Sequence, residues 1–305
     1  MKGVYARASG DQIATRQAIL DGLQGRPLAE KIAVSSRIIT AALGIGKPAL
    51  LYSGGRDSTV LLDLVAKQSP DILVIHNNTT LGDPALAGWV QSFVNRTYPG
   101  ADYRETVADD PIAMWQERGY FPLLSKRGFT AYKMRDPHLR ISPVQCCYQL
   151  KEKKSNAILN AEETAVVFWG NRAAESMRRR LTFIDNGYLF KPKKYRWHQA
   201  YPLQHFTGDD ITAYLGDHVK NYPASGAAFE TGCLCCGTDI TFWPNNLGRL
   251  YQRDRPRWEY FMRAGFAEQI AKMKGLPGDP EEIISTRPEL LLCVNTRKRG
   301  PNQCK

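Results

Sequence analysis

The period of the apolar positions changes along the chain, and each change predicts a new element. Residues 11–45 carry apolar side chains at three- and four-residue steps, as in "RQAIL" and "LAEKIAVSSRIITAAL", which predicts helices. "PALLYS" (48–53) is a short unbroken apolar run, as expected of a buried strand, and Ser58 opens a helical pattern carrying Val60, Leu61, Leu62, Leu64 and Val65. "DILVIHNN" (71–78) predicts a second strand and is followed by a helix near 84–97. "CCYQLKEKKSNAIL" reads as helix, and "TAVVFWGNR" (164–172) as a third strand. Strands separated by helices predict an α/β fold, a doubly wound parallel sheet whose ligands gather at the carboxyl ends of the strands.

From about residue 205 the alternation fades. "TGDDITAYL" predicts a helix capped by Thr207 or Asp209, "CLCCGTDITFWPNN" a loop, and "RPRWEYFMRAGFAEQIAKMKG" one amphipathic helix ended by Gly275. The expected organisation is therefore N-terminal helices over 1–44, an α/β domain over 45–220, and a cysteine loop with a helical C-terminal extension over 221–305. The last stretch, "NTRKRGPNQCK", is polar enough to predict a mobile tail.

Between the first predicted strand and its helix stands "SGGRDS". Two glycines permit a sharp turn with exposed N–H groups, and the helix that follows presents the positive end of its dipole; together they suit an anion. Ser53 and Ser58 supply hydroxyls and Arg56 a forked cation, while Asp57 fits a magnesium-linked or backbone-orienting role. The Walker pattern GxxxxGK[ST] is absent, so this is a different kind of phosphate loop.

Charge widens the picture. The 305 residues carry a formal net charge of +11, with basic runs at "RRR" (178–180), "KPKKYR" (191–196) and "TRKRG" (296–300). Such a surface attracts polyanions, either nucleotides or nucleic acid. No window approaches a membrane-spanning apolar length, and the first residues lack a signal-peptide pattern, so a cytoplasmic protein with no membrane partner is expected.

Seven cysteines in such a chain read as thiols or metal ligands rather than as a disulfide framework. Cys146 and Cys147 are adjacent, and Cys233, Cys235 and Cys236 fall within four residues. Four thiolates suit zinc or an iron-sulfur cluster, and spacing does not separate the two. Cys293 follows "ELLL" and reads as core. Cys304 lies among Arg297, Lys298, Arg299 and Lys305, cations that favour a reactive thiolate.

SGGRDS resembles the SGGxDS pyrophosphate loop of the N-type ATP pyrophosphatases (adenine nucleotide alpha-hydrolase-like proteins), in the branch that holds the phosphoadenosine phosphosulfate (PAPS) reductases. The resemblance runs over roughly 45–265, through "IHNNTTLGDP", "WGNRAAESMRRR" and "YPLQHFTGDDITAYL". It implies that Ser53, Gly54, Gly55, Arg56, Asp57 and Ser58 cradle the terminal phosphates of ATP with magnesium. By the same resemblance Asn77, Asn78 and Thr79 lie near the adenosine, and Arg172, Glu175, Arg178 and Arg179 approach the phosphate or sulfate side. Asp57, Arg56 and Arg172 are the implied catalytic groups, with Cys304 as the candidate nucleophile. The cysteine pattern is similar to the four-iron, four-sulfur site of adenylylsulfate (APS) reductases, which implies Cys146, Cys147, Cys233 and Cys236 as ligands and Cys235 as an extra thiol.

Two chemistries follow from the resemblance. One is cleavage of ATP between its α- and β-phosphates with adenylyl transfer; the other is reduction of APS or PAPS to sulfite. A third reading is a nucleotide-binding accessory of a DNA-modification or CRISPR system. The implied partners are an adenine nucleotide, a thiol reductant or sulfur-donor protein, nucleic acid on the basic surface, and further copies of the chain in an oligomer. The loop carries Arg56 where many relatives have lysine, and the reductases' C-terminal Glu-Cys-Gly-x-His element is absent.

Overall fold

A computed structural model of the chain describes residues 9–118, 146–219, 231–234 and 246–292. The described residues fall into two compact units. One is drawn from Met1–Asn77, Ala85–Thr106 and Ser155–Thr231, the other from Asn78–Pro84, Val107–Lys154 and Gly232–Lys305.

The first unit is built on six strands: β1 (Pro48–Leu51), β2 (Leu73–Asn78), β3 (Asp102–Val107), β4 (Val166–Phe168), β5 (Leu189–Phe190) and β6 (His198–Ala200), in the order β3-β2-β1-β4-β6-β5. β1 pairs in parallel with both β2 and β4, β4 pairs in parallel with β6, and the short β5 runs antiparallel to β6. The sheet is thus mostly parallel. Its period of two explains why both faces are apolar. Leu50, Val74, Val166 and Phe168 enter one cluster, whereas Ala49, Leu73, Ile75 and Val167 enter another on the opposite face.

Helices cover both faces. α2 (Leu28–Leu43), α3 (Arg56–Ala66), α4 (Pro84–Thr97) and α8 (Gly208–His218) contribute to the first cluster. α6 (Lys153–Ala161) contributes Ile158 and Leu159 to the second. α1 (Gly10–Gln24) packs through Leu20 against Phe183 and Ile184 of α7 (Met177–Asn186). Arg16 of α1 donates to the carbonyls of Ile184 and Asp185, satisfying the C-terminal end of α7.

β3 and the helix ahead of Gly275 depart from the sequence reading. β3, "DYRETV", carries charge at Asp102, Arg104 and Glu105 and stands at the sheet edge, so it lacks the apolar run that marks β1 and β2. The helix expected to run unbroken to Gly275 is two helices, α10 (Arg255–Phe261) and α11 (Ala267–Lys274), joined by a π-turn at Met262–Phe266 in which Gly265 has φ 123°. Gly275 closes α11 in the left-handed conformation, as expected. These helices, with α5 (Pro111–Arg118), α9 (Asn246–Arg253) and α12 (Pro280–Thr286), form the second unit around Trp115, Trp258, Phe261, Phe266, Ile270 and Ile283. Among the described residues no helix is long and apolar enough to cross a membrane.

A buried polar knot ties α2 to α8. Lys31, 2 % exposed, donates to Asp210 at 2.6 Å and to the Gln24 carbonyl, while Asp210 accepts from the Thr207 backbone and hydroxyl in the helix cap. His205 Nε2 faces the Lys31 carbonyl at 3.0 Å, so that nitrogen carries the proton and Nδ1 accepts from the Tyr188 hydroxyl at 3.1 Å. Burial holds His205 down at about 4; the neighbouring Lys31 charge adds to this, and the Lys31 carbonyl and Asp210 oppose it. An unfolded chain takes up that proton near pH 6.5, so stability is full above that pH and declines as the pH falls toward 4, by about 3 kcal/mol in all. Urea midpoints at pH 7 and pH 5 are expected to diverge in the wild type and much less in His205→Gln. An equal pH dependence in both proteins contradicts this.

Candidate nucleotide site

The chain steps outward from β1 to β2 to β3 and then returns to the other side of β1 as β4. This reversal leaves a crevice beyond the carboxyl ends of β1 and β4, the place where open α/β sheets take their ligands. SGGRDS follows β1, and Trp169-Gly170-Asn171-Arg172 follows β4. Two stretches more than a hundred residues apart thereby meet.

The loop is pinned by its own hydroxyls. Gly55 N–H donates to Ser53 Oγ at 3.2 Å, Ser53 and Ser58 hydroxyls lie 3.0 Å apart, and Ser58 donates back to the Gly55 carbonyl at 2.9 Å. Because the Ser58 proton goes to Gly55, the Ser53 hydroxyl is the donor to Ser58, and the bonds close a ring. A second tie lies behind it. Thr59 donates to the Gly55 carbonyl at 2.9 Å and accepts from the buried Tyr52 hydroxyl at 3.0 Å, while His76 Nδ1 donates to the Tyr52 carbonyl.

The two glycines have separate reasons. Gly54 has φ +76°, and a Cβ there would sit 2.7 Å from Val90 Cγ2 and 3.0 Å from Leu86 Cδ1. Gly55 is the N-cap of α3 with no side-chain cap, so the first turn of that helix faces the crevice with its backbone donors. α3 starts at Arg56, two residues before the expected Ser58, because the turn completes within the glycines. A third glycine escaped the sequence reading. A Cβ on Gly170 would lie 3.0 Å from Ser58 N and Cα, so glycine is what lets the β4 loop reach the start of α3.

The charged residues form a chain of opposite signs. Arg172 Nε lies 2.9 Å from Asp57 Oδ1, with its N–H not aligned onto the oxygen, and the two side chains are 14 % and 21 % exposed. The Arg172 backbone donates to Glu175 at 2.8 Å, and Glu175 pairs with Arg179. Ser176 caps α7 through the Arg179 N–H. Burial, with the Arg172 charge beside it, pushes the Arg179 guanidinium below its ordinary value against the pull of Asp57. Asp57, Arg172, Glu175 and Arg179 thus share one electrostatic environment. Arg178 is exposed on α7. Arg56 turns instead to α8, where it donates to the Thr212 hydroxyl.

Asn77, the penultimate residue of β2, belongs to the first unit and accepts from Thr106 at 2.7 Å. Asn78 and Thr79 belong to the second unit. Asn78 accepts from Thr80 N at 2.9 Å, and Thr79, 6 % exposed, lies 3.3 Å from Cys233 Sγ. Cys146 is buried and accepts from Trp115 Nε1 at 3.4 Å, and Cys147 is exposed; none of these three cysteines is in a disulfide. Cys146 and Cys233 both pack in the apolar cluster of the second unit. Among the described residues no three metal-ligating side chains gather. Cys236, Cys235, Cys293, Cys304 and the expected mobile tail lie outside the described residues.

Comparison with known proteins places these features in context. No curated protein sequence matches the chain. Among solved structures, phosphoadenylyl-sulfate (PAPS) reductase from Candida auris, in a phosphate complex, is 14 % identical, covering 70 % of this chain and 89 % of its own, with a TM-score of 0.44. The U34-tRNA thiolase NcsA from Methanococcus maripaludis, with its [4Fe-4S] cluster, is 16 % identical, covering 76 % of each chain, with a TM-score of 0.43. The sequence profile of the phosphoadenosine phosphosulfate reductase domain matches residues 47–236, from the start of β1 through the last of the clustered cysteines. With most of its length inside that match, the chain belongs to the phosphoadenosine phosphosulfate reductase family.

Proposed function

We propose that the protein binds ATP with magnesium in the crevice between β1 and β4 and cleaves it between the α- and β-phosphates. The observation that carries this reading is the intact SGGRDS loop, closed on itself by three hydroxyl-mediated bonds, at the switch point of the sheet. The backbone donors of the loop and of the first turn of α3 hold the β- and γ-phosphates. Asp57 orients Arg172, and Arg172 and Arg179 balance the charge that grows on the departing pyrophosphate. An acceptor nucleophile bonds to the α-phosphorus; the bond to the bridging oxygen breaks, and its electron pair leaves with pyrophosphate.

The proposed ligands of an iron-sulfur cluster are Cys146, Cys147, Cys233 and Cys236. The donor set is all thiolate, and two of the four pack in an apolar shell, which suits such a cluster. When bound, the cluster supplies sulfur or electron handling to the acceptor. Anaerobic protein is expected to hold about four irons per chain. Serine at any one of the four positions is expected to remove most of the iron, and Cys235→Ser to keep it. Stoichiometric zinc in a colourless protein overturns the cluster assignment.

Sulfonucleotide reduction is the second reading, favoured by family membership. There a thiolate, with Cys304 the candidate, bonds to the sulfur of APS or PAPS; the sulfur–oxygen bond breaks and the nucleotide leaves as AMP or adenosine 3′,5′-bisphosphate, and external thiols, oxidised to a disulfide, release sulfite from the enzyme S-sulfonate. Product identity separates ATP cleavage at the α–β bond from other ATP chemistry. With α-labelled ATP and magnesium, label is expected in AMP or an adenylylated acceptor. Label appearing in ADP contradicts cleavage between the α- and β-phosphates.

A further inference from the structure

The connection between β5 and β6, residues 191–197, takes no part in the nucleotide site. It reads Lys-Pro-Lys-Lys-Tyr-Arg-Trp, four cations in six residues with no acid among them. Lys191, Lys193, Lys194 and Arg196 are exposed, whereas Pro192 is buried and Trp197 is 4 % exposed. The Tyr195 N–H donates to the Pro192 carbonyl at 3.2 Å, which closes a turn. The Tyr195 ring stacks on Trp197 at 4.9 Å and 16°, and both pack in the cluster beneath the sheet. The Lys194 ammonium lies over the Tyr195 ring at 4.9 Å. The loop is therefore stapled to the core at two points, and its cations are displayed from a fixed base, which lowers the ordering cost of binding.

Its position decides which anion it suits. β6 starts at His198, in register with Val166 at the start of β4. The loop thus lies at the amino ends of the parallel strands, whereas SGGRDS follows the carboxyl end of β1. Strand rise alone separates the two ends by about 10 Å. A nucleotide held at the carboxyl ends and these cations therefore lie at opposite ends of the strands. The Tyr195 ring is already engaged by Trp197 and Lys194, so the loop offers charge rather than a platform for bases.

We propose that residues 191–196 form a docking surface for the phosphodiester backbone of nucleic acid, read by charge and not by sequence. Binding there is independent of ATP cleavage.

The test is fluorescence anisotropy with labelled single-stranded RNA, single-stranded DNA and duplex DNA across a salt series from about 50 to 200 mM. Neutralising Lys191, Lys193, Lys194 and Arg196 to Gln is expected to weaken binding at least tenfold at the low-salt end. It is also expected to flatten the slope of log affinity against log salt by up to about 3.6, at roughly 0.7–0.9 per lost phosphate contact. A control removes the same charge elsewhere, by Gln at Arg26, Arg255, Arg263 and Lys272, exposed members of surface ion pairs. It is expected to bind nearly as wild type. The single variant Lys191→Gln, flattening the slope by somewhat under 1, serves should the fourfold variant misfold. Preference among the three nucleic acids identifies the source of the backbone. Equal losses in the loop variant and the control, an unchanged slope in both, no binding by wild type, or binding to anionic vesicles alone overturns the proposal. Pyrophosphate release from ATP alone is expected to be unchanged in the loop variant, so failure of the catalytic reading remains distinguishable.

Discussion

Asp57→Ala is expected to lower magnesium-dependent pyrophosphate release by one to two decades, at about 1.4 kcal/mol per decade, because the Arg172 guanidinium loses the carboxylate paired with it. Asp57 stands at the start of α3, and its carboxylate holds Arg172 from the β4 loop at 2.9 Å. Truncation leaves that guanidinium, only 14 % exposed, without the carboxylate that fixes it over the crevice. If the pair acts as a unit, Arg172→Ala has a similar effect and the double variant loses little more than either single one. Losses that add, or full activity in both single variants, reduce the pair to architecture. Melting temperatures recorded alongside separate a catalytic defect from an unfolding one.

Gly54→Ala is expected to cost about 3 kcal/mol of stability and to abolish measurable nucleotide binding. Two causes combine. Alanine at φ +76° costs about 1–2 kcal/mol, and a methyl group 2.7 Å from Val90 Cγ2 overpacks a site costing about 1–3 kcal/mol. Val90 is fully buried, so relief has to come from the loop itself. The melting temperature is expected to drop by several degrees, roughly 2–4 °C per kcal/mol in a chain of this size. Calorimetric titration with ATP checks the binding. A variant with wild-type melting and wild-type affinity contradicts the account of this turn.

Much of the first unit was legible as a pattern because its chemistry is local. The apolar run at 48–53, the glycines after it and the helical spacing beyond are one strand-turn-helix, and β1 and α3 stand there. The helix near 84–97 and the Thr207 cap were legible for the same reason. β3 was not, because an edge strand with "DYRETV" has no continuous apolar face. β5 and β6 are two and three residues long, too short to show a period. The break at Gly265 depends on a single backbone angle inside an otherwise regular amphipathic pattern.

For the site, residue types were legible and pairings were not. Ser53, Gly54, Gly55 and Ser58 lie within one turn, so the closed ring of hydroxyls follows from adjacency. The Asp57–Arg172 pair and the Arg56–Thr212 bond join residues 115 and 156 apart, which only the sheet order brings together. Gly170 had a faint signal, a glycine directly after an apolar strand, but its neighbour, the start of α3, is a tertiary fact.

The most direct measurement gives anaerobically purified protein ATP, APS and PAPS in parallel, with magnesium and a thiol reductant, and assays pyrophosphate and sulfite in each, for wild type and Cys304→Ser. The expected result is pyrophosphate from ATP at nearly the same rate in both proteins, because leaving-group stabilisation by the loop needs no tail thiol. Sulfite from APS or PAPS in the wild type, lost in Cys304→Ser and unaccompanied by any ATP cleavage, contradicts it.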